Sequence, residues 1–239
     1  MRLDQAIAAR FEISRRKARQ QIAAGRVLLN RRRVAVASRE VSPSDELTLL
    51  PETAERLQIL ALTDDWVAVD KPAGLPTQPT RDRSDPSLED LVRAQYRSIY
   101  LVHRLDRPTS GIVLFARTRE AAAKLSSLFA SGEIRKTYFA VAEGVLEQDE
   151  TIDSPIGGKE ARTVVRPIRK SDGGTLVEID LLTGRTHQIR LHLASIGHPV
   201  AGDRRYGSTI NTSRLMLHAW RLEHAELGTI ESPIPPEFT

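Results

Sequence analysis

The chain contains no cysteine among its 239 residues, which excludes both a disulfide-stapled scaffold and any metal site built on thiolates. No apolar run approaches the ~20 residues that a membrane-spanning helix requires, and Met1-Arg2-Leu3-Asp4 opens with charges in place of an apolar signal core. A soluble, cytoplasmic protein without membrane contact is expected. Neither G-x-x-x-x-G-K-[ST] nor G-x-G-x-x-G occurs, because the pairs Gly157-Gly158 and Gly173-Gly174 lack the rest of either pattern. Nucleotide hydrolysis therefore has no support. Internal repeats and low-complexity segments are absent too. His187 and His192 stand five apart, roughly 140° around a helix, a poor arrangement for gripping one metal ion. No second acid marks a glycosidase-like pair of carboxylates. Neither a metal nor a cofactor is expected.

What the chain does hold is enough for one ordinary domain and a small one, with 40% hydrophobic residues. Its net charge of +4 is unevenly spread: residues 1–50 carry 11 Lys+Arg against 5 Asp+Glu, and the remainder 24 against 26. A local basic excess is the footprint of a surface that neutralises phosphates, with a solvated basic face as the ordinary alternative. Within that segment Leu3, Ile7 and Phe11 recur at helical spacing. Ser14 suits an N-cap, Ala18 and Ile22 give a second helix an apolar side, and Gly25 can close it. Arg15, Arg16 and Arg19 then fall off the apolar stripe. Residues 26–30 and 34–36 suggest short strands joined by Arg31, Arg32 and Arg33, followed by a third strand near 46–50. Two arginine-bearing helices beside a basic hairpin would make a compact RNA-facing surface.

The remainder suggests an α+β fold. Residues 59–62 and 66–69 form a candidate hairpin, 87–95 a short helix, and 118–131 a longer one capped by Thr118 and closed by Gly132. Residues 134–142, 162–169 and 175–182 alternate as strands, and 186–196 suggest a last helix. Strands outnumber helices and follow one another through short turns, so a mixed, largely antiparallel sheet is expected. Between candidate strands at 100–105 and 111–116 stand His103, Arg104 and Asp106, with a turn over 107–111. That placement puts Asp106 at a strand end and aims charged groups into a pocket. An aspartate that opens a turn and bonds its own backbone is the ordinary alternative.

The string His103-Arg104-Leu105-Asp106-x-x-Thr109-Ser110-Gly111 resembles the central motif of the RluA-type RNA pseudouridine synthases. Arg135-Lys136-Thr137-Tyr138 resembles the Lys-x-Tyr motif of that family, and residues 182–192 its Thr-Gly-Arg-x-His-Gln-Ile-Arg motif. Val69-Asp70-Lys71-Pro72-Ala73-Gly74-Leu75 is similar to its lysine-proline-glycine segment, with Asp70 where Asn is usual. Arg2-Leu3-Asp4, Ser14-Arg15, Gly25-Arg26-Val27 and Asp45-Glu46-Leu47 resemble an S4-type RNA-binding domain. The resemblance implies an S4-type domain at 1–50, a linker at 51–58 and a pseudouridine synthase catalytic domain at 59–239. It implies isomerisation of specific uridines in structured RNA, with 23S ribosomal RNA the first candidate. A tRNA-modifying enzyme and a non-catalytic RNA-binding or ribosome-assembly factor are the alternatives. No redox change occurs, and the enzyme is expected to work as a monomer.

The resemblance also assigns roles. Asp106 attacks C1′ or C6, or stabilises charge on the sugar. Arg185 pairs with Asp106 and orients it. Tyr138 stacks on the flipped uracil and offers its hydroxyl, while Arg104 enters the RNA stack. Lys71 and Pro72 shape the pocket rim; His103, Thr109 and Ser110 support the catalytic loop. Arg15, Arg16, Arg19, Arg31, Arg32 and Arg33 are the expected contacts to the RNA backbone.

Overall fold

The computed structural model describes all residues except 24, 31, 50–56, 81–85, 97, 172 and 239; for 32, 33 and 171 it describes the backbone alone. The side chains of the expected hairpin arginines 31–33 and most of the expected linker at 51–58 thus lie outside the described residues. The chain divides into two compact units, Met1–Leu57 with Gln78–Arg97, and Gln58–Thr77 with Ser98–Thr239. Residues 78–97 group with the N-terminal segment, not with the rest of 59–239.

In the first unit, helices α1 (Leu3–Arg10) and α2 (Arg15–Ala23) bury Leu3, Ile7, Ala18 and Ile22 against strands β1 (Val27–Leu29) and β3 (Leu47–Leu49), and β2 (Arg32–Arg33) pairs with β1. The Ser14 hydroxyl accepts the Lys17 amide at the start of α2, and Gly25 adopts φ +67 beyond its end. The basic hairpin is tighter than expected. Leu29 pairs with Arg32 and Leu28 with Arg33, so β2 occupies 32–33 and not 34–36. Asn30 tolerates the left-handed φ of +51 that so short a connection demands.

The second unit contains β4 (Gln58–Leu62) and β5 (Trp66–Lys71). In the first unit, α3 (Leu88–Gln95) starts at a capping box in which Ser87 and Asp90 exchange hydrogen bonds. The second unit continues with β6 (Tyr100–Leu101), β7 (Ser110–Ala116), α4 (Arg119–Ser131), β8 (Arg135–Glu143), β9 (Glu150–Ile152), β10 (Thr163–Ser171) and β11 (Gly174–Leu181). It ends with α5 (Gln188–Ser195), β12 (Leu217–His224) and β13 (Gly228–Glu231). Among the described residues its ten strands form one sheet in the order β4-β5-β7-β12-β8-β11-β10-β9, with β6 on β7 and β13 on β12. Only the β7–β12 pairing is parallel, so the sheet is largely antiparallel. All seven residues of β7 are buried, as a strand covered on both faces requires. Helix α4 packs Ala121 and Leu125 onto Ile112 and Leu114, between its Thr118 cap and the left-handed Gly132. No helix among the described residues is long and apolar enough to cross a membrane.

Two local departures from the sequence expectation shape the site. β6 stops at Leu101, so Asp106 sits on a loop and not at a strand end. Side chains replace the ladder there: Thr77 Oγ1 accepts the Leu105 amide at 3.2 Å and donates to the Leu105 carbonyl at 2.8 Å, while His103 Nε2 accepts the Leu114 amide at 2.9 Å. α5 starts at Gln188 and not at 186, because His187 adopts a left-handed φ of +56.

Candidate active site

The loop bearing Asp106 is pinned from below by a buried ammonium. Lys71, at the end of β5, is fully buried and donates to the carbonyls of Pro72, Leu75 and Arg107 at 3.1, 2.8 and 3.2 Å. Burial pushes its pKa down to about 7, partly offset by the Asp106 charge. The Gly74 amide also reaches the Arg107 carbonyl at 2.8 Å, and Arg107 Nε returns to the Gly74 carbonyl at 2.9 Å. The lysine-proline-glycine segment therefore fixes the residue next to Asp106. At the far end of the loop, Ser110 accepts from Arg214 and lies 2.8 Å from His218 Nδ1.

The Asp106 side chain retains one-fifth of its exposure, and Arg190 Nη1 donates to its Oδ2 at 3.3 Å. The same guanidinium grips the buried Asp203 through Nε at 2.6 Å and Nη2 at 2.9 Å. A fork fixed on one carboxylate presents its remaining donor to the other. His187 Nε2 stands 3.6 Å from Asp106 Oδ2, and its Nδ1 lies 2.7 Å from the Tyr206 hydroxyl. The carboxylate favours the tautomer with Nε2–H toward it, which leaves Nδ1 to accept from Tyr206. Gln188 ties the preceding loop together. Its Oε1 accepts from Thr183 Oγ1 and the Arg185 amide, and its Nε2 donates to the Arg162 carbonyl and Thr163 Oγ1.

Asp106, Arg104, Lys136, Tyr138, Arg185 and His187 all line one cleft of about 370 Å³. Burial, reinforced by the Asp106 charge, pushes the Tyr138 phenol up, so its hydroxyl stays protonated. Burial, with the Lys136 charge adding to it, lowers the His103 pKa to about 3; the neutral ring stacks on Phe129 at 4.3 Å.

The expected Arg185–Asp106 pair is corrected here. Arg185 is exposed and its Nε donates to the Glu160 carbonyl at 2.9 Å; Arg190, five residues on, pairs with Asp106. The left-handed turn at His187 is the physical reason, since it starts the helix late and places Arg190 in its first turn. Arg104 is exposed at the cleft. Arg15 and Arg19, with Arg2, converge on the buried carboxylate of Asp4 at 3.1, 2.8 and 3.3 Å, and with Arg16 line a shallow depression in the first unit. Asp4 is held down at about 2, chiefly by Arg19. The sequence reading passed over Arg190, although it closes the quoted motif. It also passed over Asp203 and Tyr206, for which only the bracketing Gly202 and Gly207 give a cue.

Comparison with known proteins places this geometry. Residues 65–195, more than half of the chain, match the model of the RNA pseudouridylate synthase family, and residues 1–47 match that of the S4 domain. The ribosomal large subunit pseudouridine synthase D of Nitrosomonas europaea is 36% identical over 86% of this chain and 69% of its own length. An uncharacterized RNA pseudouridine synthase of Zymomonas mobilis is 39% identical over 80% of this chain and 98% of its own. Among solved structures, human RNA pseudouridylate synthase domain containing 1 superposes with a TM-score of 0.64 at 27% identity, covering 80% of this chain and 88% of that one. The chain belongs to the RNA pseudouridylate synthase family.

Proposed function

We propose that this pseudouridine synthase acts on uridine in large-subunit ribosomal RNA, with Asp106 engaging the nucleoside. The observation that carries the reading is one carboxylate at the floor of a cleft, oriented by an arginine that is itself locked on a second, buried carboxylate. The reaction breaks N1–C1′, turns the uracil and joins C5 to C1′. It is redox-neutral and gains no atoms, so it calls for neither metal nor cofactor. A base within a stacked helix is out of reach, and its extrusion takes a few kcal/mol. Arg104, exposed beside Asp106, fills the vacated stack; Tyr138 stacks on the flipped ring and donates its retained proton. Arg185 reaches the RNA from the rim. Residues 1–50 supply affinity as an S4-type domain, with Arg15, Arg16 and Arg19 and the hairpin arginines 31–33 meeting phosphates. Residues 51–58 link it to the catalytic domain at 59–239. The enzyme works as a monomer in the cytoplasm.

The ribosomal target rests on the large-subunit enzyme of Nitrosomonas europaea, together with the match to an S4 domain. Mapping pseudouridines in ribosomal and transfer RNA of a strain lacking the enzyme tests it. Loss of at least one large-subunit pseudouridine is expected. An intact large-subunit pattern with a loss in transfer RNA would contradict the assignment.

A further inference from the structure

Two lysines are buried in the second unit, and their surroundings differ in kind. The Lys71 ammonium is engaged by three carbonyls. Lys136 is only 8% exposed, yet among the described residues no carboxylate, carbonyl or hydroxyl pairs with it. Its neighbour Arg135 faces Asp180 and Glu223, and the adjacent imidazole of His103 is neutral. Lys136 lies two residues before Tyr138 on β8, so both side chains leave the same face of the strand, and both line the cleft that holds Asp106. Its stem is buried while its ammonium keeps access to the cleft, where a ligand bearing negative charge would meet an uncompensated donor.

We propose that Lys136 is a catalytic residue that pairs with the negative charge carried by the uracil ring during isomerisation. This rests on the assignment of the cleft to uridine. When N1–C1′ breaks, its electron pair stays on N1 and spreads to O2 and O4, while Asp106 covers the electron-poor C1′. If Asp106 instead adds to C6, the C5=C6 pair moves toward O4. Both routes leave the ring anionic, and a protonated Lys136 donates to O2 or O4 without giving up its proton. On either route N1–C1′ breaks and C5 bonds to C1′; on the second the Asp106–C6 bond then breaks and frees the carboxylate. The C5 proton leaves while N1 gains one, so atoms and electrons balance. Arg190 cannot serve, because Asp203 and Asp106 occupy it. The competing account is a purely structural lysine, its stem packed and its head reaching toward water.

Lys136→Met keeps the stem and removes the charge; Lys136→Arg keeps the charge. The full chain is assayed under single-turnover conditions by tritium release from total RNA labelled at uracil C5, isolated from a strain lacking the enzyme. Binding of the same RNA is measured alongside. The Met variant should release tritium about a hundredfold more slowly, the scale for removing one donor to a developing anion, with unchanged affinity. The Arg variant should recover part of that rate. Release by the Met variant at the wild-type rate overturns the role. If the Met variant fails to fold, Lys136→Gln replaces it, and wild-type release by the Gln variant overturns the role equally. Absence of release by the wild type would instead contradict the pseudouridine synthase reading of the cleft, and the role of Lys136 with it.

Discussion

Arg190 is the residue on which the site turns, because it serves a catalytic candidate and a buried structural carboxylate at once. Arg190→Met strands Asp203, a side chain only 2% exposed, without its counter-ion. The expected loss is about 3–5 kcal/mol of stability, the scale for breaking one side of a buried pair, along with loss of turnover. Arg185→Met should leave the urea midpoint unchanged, since its side chain is exposed and holds one loop carbonyl. Equal destabilisation by the two variants would contradict this division of labour. The sequence marked Asp106, Tyr138 and Arg104 through their strings, and all three line the cleft. It could not separate Arg185 from Arg190, because the choice depends on a left-handed backbone at His187, a residue type for which φ > 0 is uncommon. Lys71 and Lys136 were visible in their motifs as residue types. Their states differ, since Lys71 is engaged by the nearby carbonyls of Pro72 and Leu75 and the distant one of Arg107, while among the described residues Lys136 has no partner; only the backbone path after Lys71 and the return of the 107 loop decide this.

At the scale of elements, Gly111 couples the catalytic loop to the sheet. It opens the parallel contact between β7 and β12 at φ +112, and a Cβ there would lie 2.1 Å from the Ala219 carbonyl oxygen. Gly111→Ala should therefore lose about 2–4 kcal/mol from backbone strain and overpacking, and reduce turnover by shifting the loop that carries Asp106. Thermal melting checks the first effect and tritium release the second; an unchanged melting temperature would contradict the contact. β7, α4, β10 and β11 were readable because their apolar runs, caps and alternation are local. β12 was not. It carries His218, Arg221 and Glu223 among its apolar residues and is bulged near Trp220. Its place at the centre of the sheet comes from pairing with β7, about 108 residues earlier in sequence, and with β8, about 80 residues earlier. β6 ended early for a similar reason, since the hydroxyl of Thr77 took over hydrogen bonds that a strand would otherwise have made.

For the molecule as a whole, the proposed division of affinity from chemistry follows the uneven charge. If Arg15, Arg16 and Arg19 meet phosphates, replacing each by Gln should flatten the log–log salt dependence of RNA binding by about one unit, while turnover at saturating RNA is kept. An unchanged slope would leave Arg15 and Arg19 to the Asp4 cluster and Arg16 to a solvated surface. Asp106 carries the central claim, and Asn is the substitution that isolates it. Asn nearly matches Asp in shape and caps turns about as well, but it lacks the charge and the nucleophilic oxygen. Tritium release from RNA labelled at uracil C5, with circular dichroism melting as the folding control, is the decisive measurement. Asp106→Asn should fold and bind RNA as the wild type does and release no tritium. Release at the wild-type rate would show that Asp106 only shapes its turn, and would contradict the account.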